Sequence, residues 1–194
     1  MCPRNIPALG PHTLYRLDTR YGEAMTHEQL KAEIQHLCLL QGEFKLRSGQ
    51  TSTHYFDKYR FEAQPRLLTE VAKQMQDLIP TDTEALAGLE LGGVPVATAL
   101  SLETGLPTVF VRKKPKEYGT CQFAEGLEIS GKRLCVIEDV ITTGGQVVES
   151  CQDLRAVGAQ IDHVLCVINR GGHPNTKLNH ENLSLKELFD FSNQ

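Results

Sequence analysis

From residue 27 onward, apolar positions alternate between helical spacing and short continuous runs. Leu30, Ile34, Leu37 and Cys38 share one face of a helix that Thr26 and Gln29 open in capping-box spacing and that Gly42 is expected to stop. Phe44-Lys45-Leu46-Arg47 and Thr53-His54-Tyr55-Phe56 alternate around Ser48-Gly49, which predicts a β-hairpin. Pro65 opens a second helix with Leu68, Val71, Met75 and Leu78/Ile79 on its core face. Strands then follow at Ala85–Leu89, Thr108–Arg112, Leu134–Ile137 and His163–Ile168, with helices at Val94–Leu102 and Gln146–Ala156. A last helix is expected over Ser184–Phe189, where Ser184 and Glu187 repeat the capping-box spacing. Continuous apolar strands separated by helices predict an α/β fold with a mostly parallel central sheet covered on both faces. Residues 113–130 interrupt the alternation as a long polar loop, a length that often marks a lid.

Residues 1–24 carry Pro3, Pro7, Gly10, Pro11 and Gly22 with no period, and they read as a flexible extension ahead of a single domain over 25–194. Met25 stands directly before the first helix as a candidate initiation site. A net charge of −4 gives no broad attraction to nucleic acid or to an anionic membrane, so any anion binding must be local. No apolar run approaches the length of a membrane span, and the first residues lack the apolar core of a signal peptide. The six cysteines show no metal-type or C-x-x-C spacing, which points to a reducing cytoplasm, with Cys38, Cys135 and Cys166 as buried apolar fillers and Cys121 exposed. The seven histidines form no metal-ligand pattern.

The strongest chemical signal is the run LCVIEDVITTGGQVV at 134–148. A buried strand ends in two carboxylates, Glu138 and Asp139, and passes through Thr142, Thr143, Gly144 and Gly145 into a helix. Glycines let backbone amides converge, and the helix N-terminus adds positive potential, so the turn can seat a phosphate. The adjacent acids can hold sugar hydroxyls or a hydrated Mg²⁺. In a parallel sheet ligands bind beyond the carboxyl ends of the strands, where both acids fall. Arg112-Lys113-Lys114-Pro115-Lys116 adds four cations in five positions. Gly126 to Lys132 imitates a nucleotide-binding P-loop, but Arg133 follows where Ser or Thr is needed and a strand comes next, so it reads as a turn.

The segment Val136–Gly145 resembles the PRPP-binding motif of the type I phosphoribosyltransferases, and its wording is most similar to that of the orotate phosphoribosyltransferase family. The resemblance covers roughly residues 27–190, with the motifs in the family's order. It implies the type I phosphoribosyltransferase fold, with the N-terminal helix and the hairpin forming a hood over the base site. It further implies transfer of the phosphoribosyl group of PRPP to orotate, giving orotidine 5′-monophosphate and pyrophosphate. Glu138, Asp139, Val140, Thr142, Thr143, Gly144, Gly145 and Gln146, with Gly92 and Gly93 of the turn Glu90–Pro95, would bind PRPP. Arg112, Lys113, Lys116 and Asp139 would be catalytic, with Lys116 on a loop that closes over the active site of a homodimer partner. Arg47, Tyr55, Phe56, Thr142 and Arg170 would hold orotate, Arg170 by pairing with its carboxylate. Mg²⁺ would be held mainly by substrate, with Asp139 reaching it through water. The chain departs from the family in placing Tyr118 where a loop histidine is usual, Gly92 where some members have lysine, and Asn169 before Arg170 where aspartate is more common. A phosphoribosyltransferase for a purine or another base, and a non-catalytic PRPP-sensing regulator of the same fold, are the alternatives.

Overall fold

A computed structural model of the chain describes residues 24–45, 49–115 and 122–192. The expected extension therefore lies almost wholly outside the described residues, as do Arg47, Lys116, Tyr118 and Cys121. Thr26 accepts from the Gln29 amide and the Gln29 side chain accepts from the Thr26 amide, so the capping box forms and opens α1 (His27–Cys38). Gly42 does not end this helix. The chain passes at once into β1 (Leu39–Lys45), which pairs antiparallel with β2 (Thr51–Phe56), and Gly42 sits at the register shift between Gln41 and Phe44. A short helix α2 (Tyr59–Glu62) leads to α3 (Pro65–Met75), which Pro65 starts at a position where its missing N–H costs nothing.

The main sheet contains β3 (Ala85–Leu89), β4 (Thr108–Val111), β5 (Ala124–Glu125), β6 (Arg133–Ile141), β7 (Gln160–Asn169) and β8 (Ser184–Asp190). Their order is β5-β4-β3-β6-β7-β8, parallel throughout except for β5, which runs antiparallel to β4. Helices α4 (Gly93–Thr104), α5 (Gly145–Ala156) and α6 (Thr176–His180) complete the described chain. Alternate residues of the strands feed two cores. Leu86, Cys135, Ile137 and Leu165 pack with α1, α3 and α4 on one face. Ala87, Leu134, Val136 and Cys166 pack with Val147, Cys151 and Leu154 of α5 and Leu178 of α6 on the other. Cys38, Cys135, Cys151 and Cys166 are buried free thiols, and burial pushes the Cys38 thiol up to about 11 and those of Cys135 and Cys151 up to about 12. Among the described residues no helix is long and apolar enough to cross a membrane.

The final helix expected over Ser184–Phe189 is instead the edge strand β8. It pairs with β7 from His163↔Ser184 to Asn169↔Asp190, and its Leu188 and Phe189 enter the first core. Six residues have too few intrahelical bonds to be stable alone, and the open edge of β7 offers a ladder along the segment. Glu187 then meets His173 at 2.7 Å rather than capping a helix. The strand expected at Leu134–Ile137 continues to Ile141, which carries both acids inside it.

Candidate active site

The length of β6 is what creates the site. β3 pairs with β6 only as far as Gly88↔Ile137, whereas β6 and β7 stay paired to Ile141↔Asn169. Glu138 and Asp139 therefore stand on an overhang, beside the gap left where β3 turns away through Glu90–Gly92 into α4. The Glu90–Leu91 peptide in that turn is cis. Strands β4 and β6 flank β3 on opposite sides, so this gap is the switch point where open parallel sheets bind ligands.

The glycines of the turn are needed for a close contact within the protein itself. A Cβ on Gly92 would overlap the Asp139 carboxyl, and one on Gly93 would overlap the Ile137 carbonyl oxygen. The turn thus lies directly on the acid pair. Asp139 is completely buried, and its Oδ1 accepts from the Val140 amide at 2.6 Å. Its Oδ2 lies 2.6 Å from Nζ of Lys58, at the start of α2. Glu62 of α2 is buried against the same carboxyl, and its Oε1 has no hydrogen-bond partner among the described residues.

Three carboxyls and one ammonium so close together cannot all titrate as they do in water. Burial, and then the hydrogen bond and charge of Asp139, push Glu62 up to about 9. Burial and the Asp139 charge also drive Glu138 well above the usual carboxylate range. Burial opposes ionisation of Asp139 as well, but the Glu62 hydrogen bond and the Lys58 charge outweigh it and hold Asp139 below its ordinary value. Burial likewise opposes the charge on Lys58, and attraction to Asp139 overcomes it, leaving Lys58 raised. Asp139 is the ionised acid of the group, and Lys58 is its counter-ion.

A polar cleft opens from these groups and is lined by Lys58, Glu90, Arg112, Lys113, Glu138 and Gln146. Arg112 and Lys113 follow β4. The Arg112 amide donates to Phe123 O at 2.7 Å, its guanidinium lies 3.8 Å from Glu125, and the Lys113 amide donates to the Glu90 carboxylate at 2.5 Å. Next to the cleft, Gly144 adopts φ +73° and starts α5 with no side-chain cap, so the first amides of α5 are left for another acceptor. Thr142 and Thr143 are exposed there. A Cβ on Gly171 would overlap the Thr142 carbonyl oxygen, so the turn after β7 packs tightly on the Thr142–Gly145 turn.

At the end of β7, Asn169 is fully buried; it accepts from the Gly171 amide at 2.9 Å and lies 3.2 Å from His173 Nε2. An aspartate could accept the first bond but could not donate, which gives this chain's asparagine a use. Arg170 projects from the same turn with its guanidinium 5.6 Å from the centre of the Phe56 ring. Phe56 and Arg170 are thus brought together. Tyr55 is not with them: neighbouring strand residues face opposite ways, and Tyr55 stacks on Phe44 at 5.5 Å.

Sequence reasoning missed Lys58, Glu62, Asn175 and Lys177. Asn175 is buried, donates to Thr142 O at 3.4 Å and accepts from the Leu178 amide at 3.3 Å, which fixes α6 on the Thr142–Gly145 turn. Lys177 Nζ lies 3.4 Å from where a side chain on Gly145 would begin. None of the four belongs to a spaced motif. The one available signal was the charge-rich stretch Asp57-Lys58-Tyr59-Arg60 directly after a hairpin.

A parallel sheet with an acid-bearing overhang beside an uncapped, glycine-led helix is the architecture of a phosphoribosyltransferase, and the model of the phosphoribosyl transferase domain matches residues 59–190. The chain is 56% identical over 148 residues to the orotate phosphoribosyltransferase of a Nocardioides species, covering 75% of this chain and 83% of that protein. It superposes on the Mycobacterium tuberculosis orotate phosphoribosyltransferase in complex with Fe(III) dicitrate with a TM-score of 0.77 at 28% identity, covering 86% of this chain and 97% of the other. For the complex of the same enzyme with 5-phospho-α-D-ribosyl 1-diphosphate (PRPP), the TM-score is 0.73 at 26% identity, with coverage of 86% and 96%. The chain belongs to the orotate phosphoribosyltransferase family.

Proposed function

We propose that this protein transfers the phosphoribosyl group of PRPP to orotate, giving orotidine 5′-monophosphate and pyrophosphate as a step of pyrimidine nucleotide synthesis in the cytoplasm. The observation that carries the reading is the single cleft joining Glu138 and the Asp139–Lys58 pair to Arg112, Lys113 and Gln146, next to the uncapped start of α5. The 5′-phosphate is bound by the amides and hydroxyls of Thr142–Gln146, and the ribose hydroxyls by Glu138 and Asp139. The diphosphate meets Arg112, Lys113 and the Gly92-Gly93 turn. Phe56 and Arg170, with Arg47 and Thr142, receive orotate; the guanidinium pairs with its carboxylate.

In the reaction the C1–O bond of PRPP breaks and its electron pair leaves with pyrophosphate. The ring nitrogen of orotate forms the new bond to C1 and gives up its proton to water, being acidic enough to need no strong base. Arg112 and Lys113 stabilise the leaving charge, while Asp139, held ionised, lies by the ribose as it turns cationic. Mg²⁺ would be held chiefly by substrate oxygens, with Asp139, the ionised acid of the group, offering a hard oxygen donor through water. When bound it neutralises diphosphate charge. Lys116, from the loop of the second subunit of a homodimer, closes over the cleft and excludes water.

Loss of orotate's ultraviolet absorbance on mixing protein, PRPP, Mg²⁺ and orotate tests the proposal. Replacing Arg170 with Ala should lower kcat/KM for orotate by about 100-fold, as expected for a lost bidentate charged pair. Turnover of hypoxanthine or xanthine with orotate untouched would overturn the assignment of the base.

A further inference from the structure

Asp139 is buried without exception, but its counter-ion is not. The Lys58 side chain is 30% exposed and lines the cleft together with Arg112, Lys113 and Gln146. The Gly92 turn cannot supply a cation at this place, because any side chain on Gly92 would collide with the Asp139 carboxyl. The charge comes instead from the link between the hairpin and α2. That link is well anchored: the Asp57 amide donates to Cys38 O at 2.8 Å, and Arg60 donates to Leu37 O at 3.0 Å, one of the last carbonyls of α1. Only the Lys58 stem is left to move. Its Nζ lies 5.3 Å from the centre of the Tyr59 ring, which lines the same cleft and offers the ammonium a second favourable position.

An ion pair of this kind gains little for stability, since desolvation offsets much of its attraction. Its position matters more. Lys58 is paired with an acid able to take sugar hydroxyls and lines the same cleft as Arg112 and Lys113. We infer that Lys58 is a substrate-contacting residue whose ammonium passes from Asp139 to the diphosphate of the bound sugar, freeing Asp139 for the ribose hydroxyls. The inference rests on the PRPP reading of the cleft and adds to it a coupling between its two halves. A ligand with both hydroxyls and diphosphate gives each member of the pair a new partner. A ligand lacking the diphosphate leaves Lys58 without one.

Calorimetric titration of Lys58→Met and Lys58→Arg with PRPP, magnesium pyrophosphate and ribose 5-phosphate tests this. Lys58→Met should bind PRPP and pyrophosphate about tenfold or more weakly, the usual cost of one charged hydrogen bond, and ribose 5-phosphate no more weakly than the unaltered protein. Lys58→Arg should regain most of the pyrophosphate binding. Lys58→Gln, with melting temperatures for all variants, replaces Lys58→Met if that variant does not fold. Equal losses for PRPP and ribose 5-phosphate would reduce Lys58 to a support for Asp139 and overturn the inference, as would unchanged pyrophosphate binding. The pyrophosphate arm needs no base, so a protein that binds pyrophosphate through Lys58 but leaves orotate untouched would refute the proposed function and not this inference.

Discussion

Gly92 is fixed by what it touches. Its φ is −69°, which any residue can adopt, so conformational freedom does not explain it. The explanation is the Asp139 carboxyl, which occupies the space a Cβ would need. Gly92→Ala must therefore displace Asp139 from Lys58 and from the Val140 amide together. The expected outcome is a stability loss of about 1–3 kcal/mol by urea unfolding, as for other overpacked sites. A fall in kcat/KM for PRPP of about 100-fold should accompany it, because a small misplacement of a reacting group is costly. Steady-state kinetics at matched folded fractions would check this, and a variant with normal activity would contradict the role of the turn. Gly-Gly was legible in the sequence as a place of close approach. That the approaching group is the protein's own carboxylate was not, because Gly92 and Asp139 lie on different strands' ends and meet only in the folded sheet.

At the scale of elements, the most local signals held and the most local misreading is equally informative. Thr26 and Gln29 satisfy each other's amides within one turn, so their spacing alone determined the start of α1. Ser184 and Glu187 share the same kind of spacing and cap nothing, since β7 presents an edge that pairs with β8 from His163↔Ser184 to Asn169↔Asp190. Phe189 of that strand is buried and tilts against His27 of α1 at 4.7 Å between ring centres and against Phe191 at 6.2 Å. Phe189→Ala should destabilise the fold by about 3–5 kcal/mol, the cost of a large buried cavity. A much smaller loss in chemical denaturation would mean that β8 is not part of the cooperative core. Gly42 failed as a helix stop for a related reason: the chain already leaves the helix at Leu39 to pair with Phe56, and Gly42 serves the irregular part of that ladder.

For the whole molecule, the acid cluster joins segments far apart in the chain, and its protons make folding depend on pH. Glu62 is pushed up from 4.5 to about 9, so the folded protein keeps a proton that the unfolded chain releases near 4.5. The stability this gives is full below 4.5 and is lost as pH rises toward 9. Glu138 acts in the same direction, whereas lowered Asp139 contributes stability above its ordinary 3.8 that is lost as pH falls through its folded value. Glu62→Gln should therefore flatten the decline in unfolding free energy between pH 5 and pH 8.5 by more than about 1 kcal/mol relative to the unaltered protein. Parallel pH profiles for the two would rule out a neutral Glu62. The sequence by itself determined the capping of α1, the alternation of β3, α4, β4, β6, α5 and β7, and the run of acids, hydroxyls and glycines after β6, because each depends on neighbours within a few residues. Tertiary structure alone decided that β6 outruns β3, that residues 184–190 become a strand, that Phe56 rather than Tyr55 meets Arg170, and that Lys58 and Glu62 set the charge on Asp139. Those outcomes depend on which segments lie side by side once the sheet closes, and no local spacing encodes that.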